Sequence, residues 1–168
     1  HLHLPVFSTN QAPYDLVNTG GNFMSDGMGT AFASTLIFTN NDQLQNGECN
    51  TPNDVYGSSS HTEASIDNIM QEFMGIDRYI KLDPLPYDCI HHIDMHIKLM
   101  DEQTLLGGQY PPGIADGPQI EANIQYILNN FKTSFGTPFK IVRIPMPPKD
   151  GNYPDNNGDY RTYANAVF

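Results

Sequence analysis

The stretch Asp88-Cys89-Ile90-His91-His92-Ile93-Asp94-Met95-His96 holds the densest set of groups able to do chemistry in this chain. Read as a strand from His92 to Leu99, it places alternate side chains on one face. That predicts His92, Asp94 and His96 on one side, with Ile93, Met95 and Ile97 turned into a core. An imidazole and a carboxylate set side by side give up hydration, and such pairs gather at functional sites. The plain alternative is the wet face of a half-exposed antiparallel strand. Two chemistries suit this face. His-x-Asp-x-His offers three ligands to zinc or iron. Alternatively, the carboxylate holds a planar guanidinium through paired hydrogen bonds while a neighbouring histidine shuttles protons.

Other groups carry less chemistry. Gly20-Gly21 and Gly27-Met28-Gly29 resemble a phosphate loop only superficially, because no Lys-Ser/Thr follows. Asn22, beside two glycines that permit close backbone approach, is a candidate substrate contact or a turn cap. The acidic loop Asp150–Asp159 spaces oxygen ligands in the manner of a calcium loop, yet lacks the terminal bidentate Glu; a solvated turn is the ordinary reading. His61 falls in a first helical turn, where exposure is expected. Cys49 and Cys89 are the two cysteines, and neither belongs to a C-x-x-C pair. They read as separate thiols or one disulfide.

The elements that must position these groups follow from periodicity. An extended run, Tyr14–Asn18, precedes a turn at Asp26–Gly29 and a strand over Thr30–Phe38. Asn40–Ser59 reads as a long polar loop. A helix is expected from Ser60, with Ser60 and Glu63 as a capping box, Ile66, Ile69, Met70 and Phe73 on one face, and Gly75 as the stop. Arg78–Leu82 is a strand. The order then recurs: strands at His92–Leu99 and Thr104–Leu106, a Pro/Gly loop over Gln109–Gly117, a helix from Pro118 to Phe131, and a strand at Lys140–Ile144. A further strand starts at Arg161. This predicts an α/β chain of repeated β-β-α-β modules, about 14–82 and 92–145, with a third starting near 160. His1-Leu2-His3-Leu4 and Ala164–Phe168 both read as interrupted strands, so a fragment is expected.

Composition sets outer limits. The 168 residues carry 8 Lys+Arg against 19 Asp+Glu, a net charge of −11. Such a surface repels nucleic-acid phosphate and anionic lipid and attracts a cation. The apolar runs are far shorter than the roughly 20 residues that span a bilayer. Few lysines beside abundant Asn, Gly, Tyr and Pro hint at an exported protein.

Several segments carry a resemblance. Gly20-Gly21-Asn22 with Asp26-Gly27-Met28-Gly29-Thr30, then His92-Ile93-Asp94 with Lys98, then Tyr163-Ala164-Asn165 occur in the order found in the Porphyromonas-type peptidylarginine deiminase and agmatine deiminase family. The resemblance covers nearly the whole chain. It implies a pentein fold, five β-β-α-β modules around a pseudo-fivefold axis, and no cofactor or metal. It also implies His92 as general acid/base, Asp94 as a guanidinium-binding carboxylate, and Asn165 beside the scissile carbon. The nucleophilic cysteine is then expected beyond Asn165, and a second carboxylate upstream of residue 1. Cys89, three residues before His92, fits the nucleophile poorly. Agmatine deiminases resembling this chain carry an acidic residue before the Gly-Gly pair, where Thr19 stands here, which points toward an arginine-like or peptidylarginine substrate. The competing expectations are a metal-dependent hydrolase built on His92, Asp94 and His96, and a non-catalytic repeat module.

Overall fold

The computed structural model describes residues 5, 10–42 and 60–165. The expectations for His1 and His3, for Cys49, and for most of the loop and the last strand residues lie outside them.

Two units share one connectivity. In the first, β1 (Met24–Ser25) pairs antiparallel with β2 (Thr30–Ser34), and β2 pairs in parallel with β3 (Arg78–Leu82). The crossover carries a short helix α1 (Leu36–Thr39) and the longer α2 (Glu63–Met74). In the second unit, β4 (Ile97–Leu99) pairs antiparallel with β5 (Thr104–Gln109), which pairs in parallel with β6 (Lys140–Pro145) across α3 (Gly117–Asn130). Each unit is thus a β-β-α-β module with a three-stranded sheet. The middle strands are the most buried, as strands covered on both faces must be: every residue of β2 is buried.

The helices form where their apolar spacing demands it. Ile66, Ile69 and Met70 of α2, and Ile120, Ile124 and Ile127 of α3, are buried on one stripe. The expected Ser60–Glu63 capping box does not form. Thr62 is the N-cap instead, its hydroxyl accepting the Ser65 N–H at 3.2 Å. Gly75 ends the helix at φ 66°, as expected, donating its N–H to the Gln71 carbonyl.

Other expectations change. Tyr14–Asn18 forms no strand, beginning in a bend at Tyr14, and the strand expected to reach Phe38 stops at Ser34. The strand expected at Thr104–Leu106 runs on through Gly107-Gly108, because those glycines let neighbours close in. A Cβ on Gly107 would stand 2.8 Å from Ile124 Cδ1, and one on Gly108 2.1 Å from Met146 Sδ. Through Asn165, the segment from Arg161 forms a bend and not a strand.

One core joins the two units: Phe32, Ile80 and Leu82 of the first pack with Ile97, Leu105, Ile120 and Ile124 of the second. A smaller core, Ala31, Ile37, Ile66, Met70 and Ile76, lies beneath α2.

Candidate active site

The largest correction falls on the segment richest in chemistry. His92–Leu99 is not one strand. His92 is extended (φ −75°, ψ 143°) and caps a 3₁₀ turn over Ile93–Met95; β4 starts only at Ile97. Alternation therefore fails, since successive side chains of a 3₁₀ turn are spaced by about a third of a revolution. Ile93 and Met95 are buried as anticipated. His96 does not join its supposed partners. Fully buried, it takes a hydrogen bond at Nε2 from the Asn123 amide, 3.1 Å away. Desolvation holds it neutral, its pKa lowered to about 3. The His-x-Asp-x-His metal triad is not assembled, and among the described residues no group of three His, Cys, Asp or Glu side chains is placed to hold a metal.

His92 and Asp94 nonetheless both pack against Gly21, and the missing side chain there is what lets them come together. A Cβ there would lie 2.4 Å from His92 Nδ1 and 3.1 Å from each Asp94 carboxylate oxygen. On the far side of the ring, Thr19 Oγ1 is 3.0 Å from His92 Nε2. The 3₁₀ turn Gly20–Asn22 thus faces the 3₁₀ turn Ile93–Met95 across the histidine.

Hydrogen bonds fix both turns. Asn22 is buried, and its Oδ1 accepts the Ser34 N–H at 2.8 Å and the Ile93 N–H at 3.2 Å. Its amide donates to the Ser34 carbonyl at 3.4 Å, so Asn22 ties the His92 turn to the end of β2. Upstream, the Asp88 carboxylate accepts the N–H groups of Ile90 (3.0 Å) and His91 (2.9 Å). Ser34 Oγ donates to the His91 carbonyl. These bonds hold His91 at φ 60°, a left-handed conformation that reverses the chain just before His92.

Burial pushes the Asp94 carboxyl above the usual aspartate range, opposed by the positive fields of His92 and Lys98 and reinforced by Asp88. Its Oδ1 is buried with no hydrogen-bond partner among the described residues. A desolvated carboxylate with an unused oxygen beside an imidazole is a receptor for a cationic donor.

The remaining candidates differ in setting. Asn165 is exposed in the final described bend. Cys89 is disulfide-bonded, which takes its sulfur out of consideration as a nucleophile in this state. The acidic loop satisfies itself: Lys149 pairs with Asp159, and the Asp155 carboxylate accepts the Ala115 N–H at 2.8 Å. His61 is not exposed as expected; its side chain is buried 3.5 Å from Asp15.

The model of the Porphyromonas-type peptidyl-arginine deiminase family matches residues 2–168. The chain belongs to that family. Solved deiminase structures share its mixed α/β fold. A C. jejuni agmatine deiminase is 22% identical with a TM-score of 0.63, the match covering 92% of this chain and 40% of that one. A candidate arginine deiminase from Porphyromonas gingivalis is also 22% identical, with a TM-score of 0.65 over 89% and 40%. The agmatine deiminase of Enterococcus faecalis is 16% identical, with a TM-score of 0.64 over 89% and 42%. This chain therefore spans about two fifths of each deiminase chain it matches. Myrosinase 1 of Arabidopsis thaliana is 29% identical over 111 residues, 61% of this chain but 20% of its own length.

Sequence reasoning passed over the residues that support the pair. Gly21, Ser34 and Asp88 contribute backbone geometry, hydroxyl and carboxylate to the turns and not to a reacting atom. The signal for Gly21 was present in the Gly-Gly-Asn string, and that for Asp88 in its place three residues before His91.

Proposed function

We propose that this chain supplies the acid–base histidine and a guanidinium-holding carboxylate of a deiminase that hydrolyses an arginine-type guanidinium to a ureido group and ammonia. Asp94 carries the reading: a half-buried carboxylate whose Oδ1 is buried with no hydrogen-bond partner among the described residues, lying beside His92 against Gly21. Family membership supports the reaction class.

In this mechanism Asp94 accepts two N–H bonds from the guanidinium and fixes its plane. A cysteine thiolate, supplied from outside residues 1–168, attacks the guanidinium carbon. The C–N bond breaks, and the departing nitrogen leaves as ammonia after taking a proton from His92 Nδ1, the ring nitrogen that faces Gly21. Water then adds to the S-alkylthiouronium, giving one proton to His92; the C–S bond breaks to return the thiolate, and the remaining hydroxyl proton passes to solvent as the ureido product leaves. Thr19, a neutral residue ahead of Gly20-Gly21, favours a peptidylarginine-type substrate over agmatine. Asn165 lines the reacting carbon once the site is complete. Residues 1–168 alone are then inactive.

The test is ammonia release from an arginine-containing peptide by a longer protein that includes these residues. His92→Ala should slow release by about 10²–10⁴-fold. Full activity in that variant, or silence of the longer protein with its cysteine and His92 intact, would sink the reading.

A further inference from the structure

Most basic side chains of this acidic chain are matched by acids. Lys81 pairs with Glu63 and Asp67, Arg143 with Glu121 and Lys149 with Asp159, while Lys98 and Lys140 lie in the fields of Asp94 and Asp101. Arg78 and Lys132 differ. Both line one open cleft of about 430 Å³ between the two modules, and neither is ion-paired with a carboxylate of the described residues. The cleft lies where Thr30 and Arg78 start β2 and β3 side by side. Ser34, which is bonded to the segment leading into His92, ends β2 about 13 Å further along the strand. The cleft is therefore at the far end of the sheet from the candidate active site.

We propose that this cleft binds a small dianionic oxyanion of the phosphate type between Arg78 and Lys132. The guanidinium is only partly used: Nη2 donates to Thr30 Oγ1 at 2.7 Å, and Nε is buried with no partner among the described residues. A planar fork of donors with no carboxylate on it suits the paired oxygens of one anion. The ammonium of Lys132, an exposed residue of the second module, adds a further positive charge. The nearby acids do not fill that role. Asp26 spends both oxygens, on the Met28 and Thr30 N–H groups and on the Ser134 hydroxyl. Asp77 also lines the cleft, but its Oδ1 accepts from the Gln71 amide at 3.3 Å and its Oδ2 lies against Gly29. Thr30 and Ser134 meet across the modules at 3.4 Å, so an anion seated beside them joins the two units. The net charge of −11 repels an extended polyanion and leaves a compact one. Neither cation belongs to the His92 site, so this binding is independent of the deiminase reading.

Calorimetric titration of the 168-residue chain with inorganic phosphate tests this, at about pH 8 where phosphate is a dianion and at an ionic strength held constant with sodium chloride. One saturable site is expected, with a melting midpoint that rises with phosphate, since a ligand of the folded state stabilises it by mass action. Arg78→Gln should weaken binding by about tenfold or more through the loss of charge-assisted hydrogen bonds. Lys132→Gln, at an exposed side chain, should weaken it by about two- to fivefold. Lys149→Gln, which removes the same charge outside the cleft, should leave it unchanged. Acetate should bind more weakly than phosphate, and equal binding overturns the dianion. Absence of saturable binding, or one affinity shared by wild type, Arg78→Gln and Lys132→Gln, overturns the site. If Arg78→Gln does not fold, Lys132→Gln decides together with Arg78→Lys, which keeps the charge and loses the fork.

Discussion

At the scale of single residues, the pairing of His92 with Asp94 was legible from the family-like His-x-Asp string, but not for the reason the local pattern suggested. Alternation on a strand would have brought His96 with them. The chain instead turns through a 3₁₀ segment, and the partnership is made by Gly21, which is distant in sequence and shows no chemistry of its own. The raised Asp94 carboxyl has a measurable consequence. Its folded-state value lies above that of the unfolded chain, so the group favours folding most below the ordinary aspartate range, and that contribution is lost as pH rises through the raised value. At neutral pH the ionised carboxylate is a net cost to the empty fold. Asp94→Asn is expected to raise the midpoint of thermal unfolding at pH 7 and to leave it nearly unchanged near pH 3. In a longer, active protein the same change should cut ammonia release at least about tenfold, since charged hydrogen bonds worth about 1.5–3 kcal/mol each are lost. A lower midpoint at pH 7 would contradict the desolvation account.

At the scale of elements, what could be read depended on length. The two long helices announced themselves through repeated apolar spacing, and Gly75 through its left-handed stop. The two-residue β1 and the four-residue α1 are too short to have a period and were not anticipated as such. The capping box failed because Thr62, nearer the first helical turn, took the cap. In β5 the glycines looked like the end of a strand, whereas they are where α3 and Met146 press closest. Gly108→Ala should therefore cost about 1–3 kcal/mol through overpacking against Met146. Chemical denaturation compares it with Gly113→Ala, at a glycine with open space but φ 74°, where the cost is conformational and not steric. Replacing Met146 by a smaller residue should rescue Gly108→Ala and leave Gly113→Ala unaffected.

At the scale of the molecule, the repeat of two like-connected modules was visible in the order of elements, but their union was not. The long α1–α2 connection breaks any constant spacing between the units, and the shared core is formed by residues far apart in the chain. His96 sits at that junction. Asn123 of α3 hydrogen-bonds both the His96 ring and, at 2.8 Å, the Asp83 carbonyl that follows β3. Its lowered pKa means that the unfolded chain takes up a proton that the folded state refuses. The stability present above pH 6.5 is then lost as pH falls toward about 3, with a slope approaching about 1.4 kcal/mol per pH unit for one proton. His96→Gln, which retains an acceptor for Asn123, should flatten that slope in acid titrations followed by circular dichroism. An unchanged slope would assign the acid loss to other groups.

Between the imidazole and the acid, the first module contributes only a hydrogen atom. The spacing of the pair is thus set by a position with nothing to donate, accept or ionise, carried on a different module from the pair itself. Even alanine at position 21 would wedge the ring away from the carboxylate while leaving every reactive group in the chain present. Loss of function by that route would look like a binding defect, though no binding group had been touched.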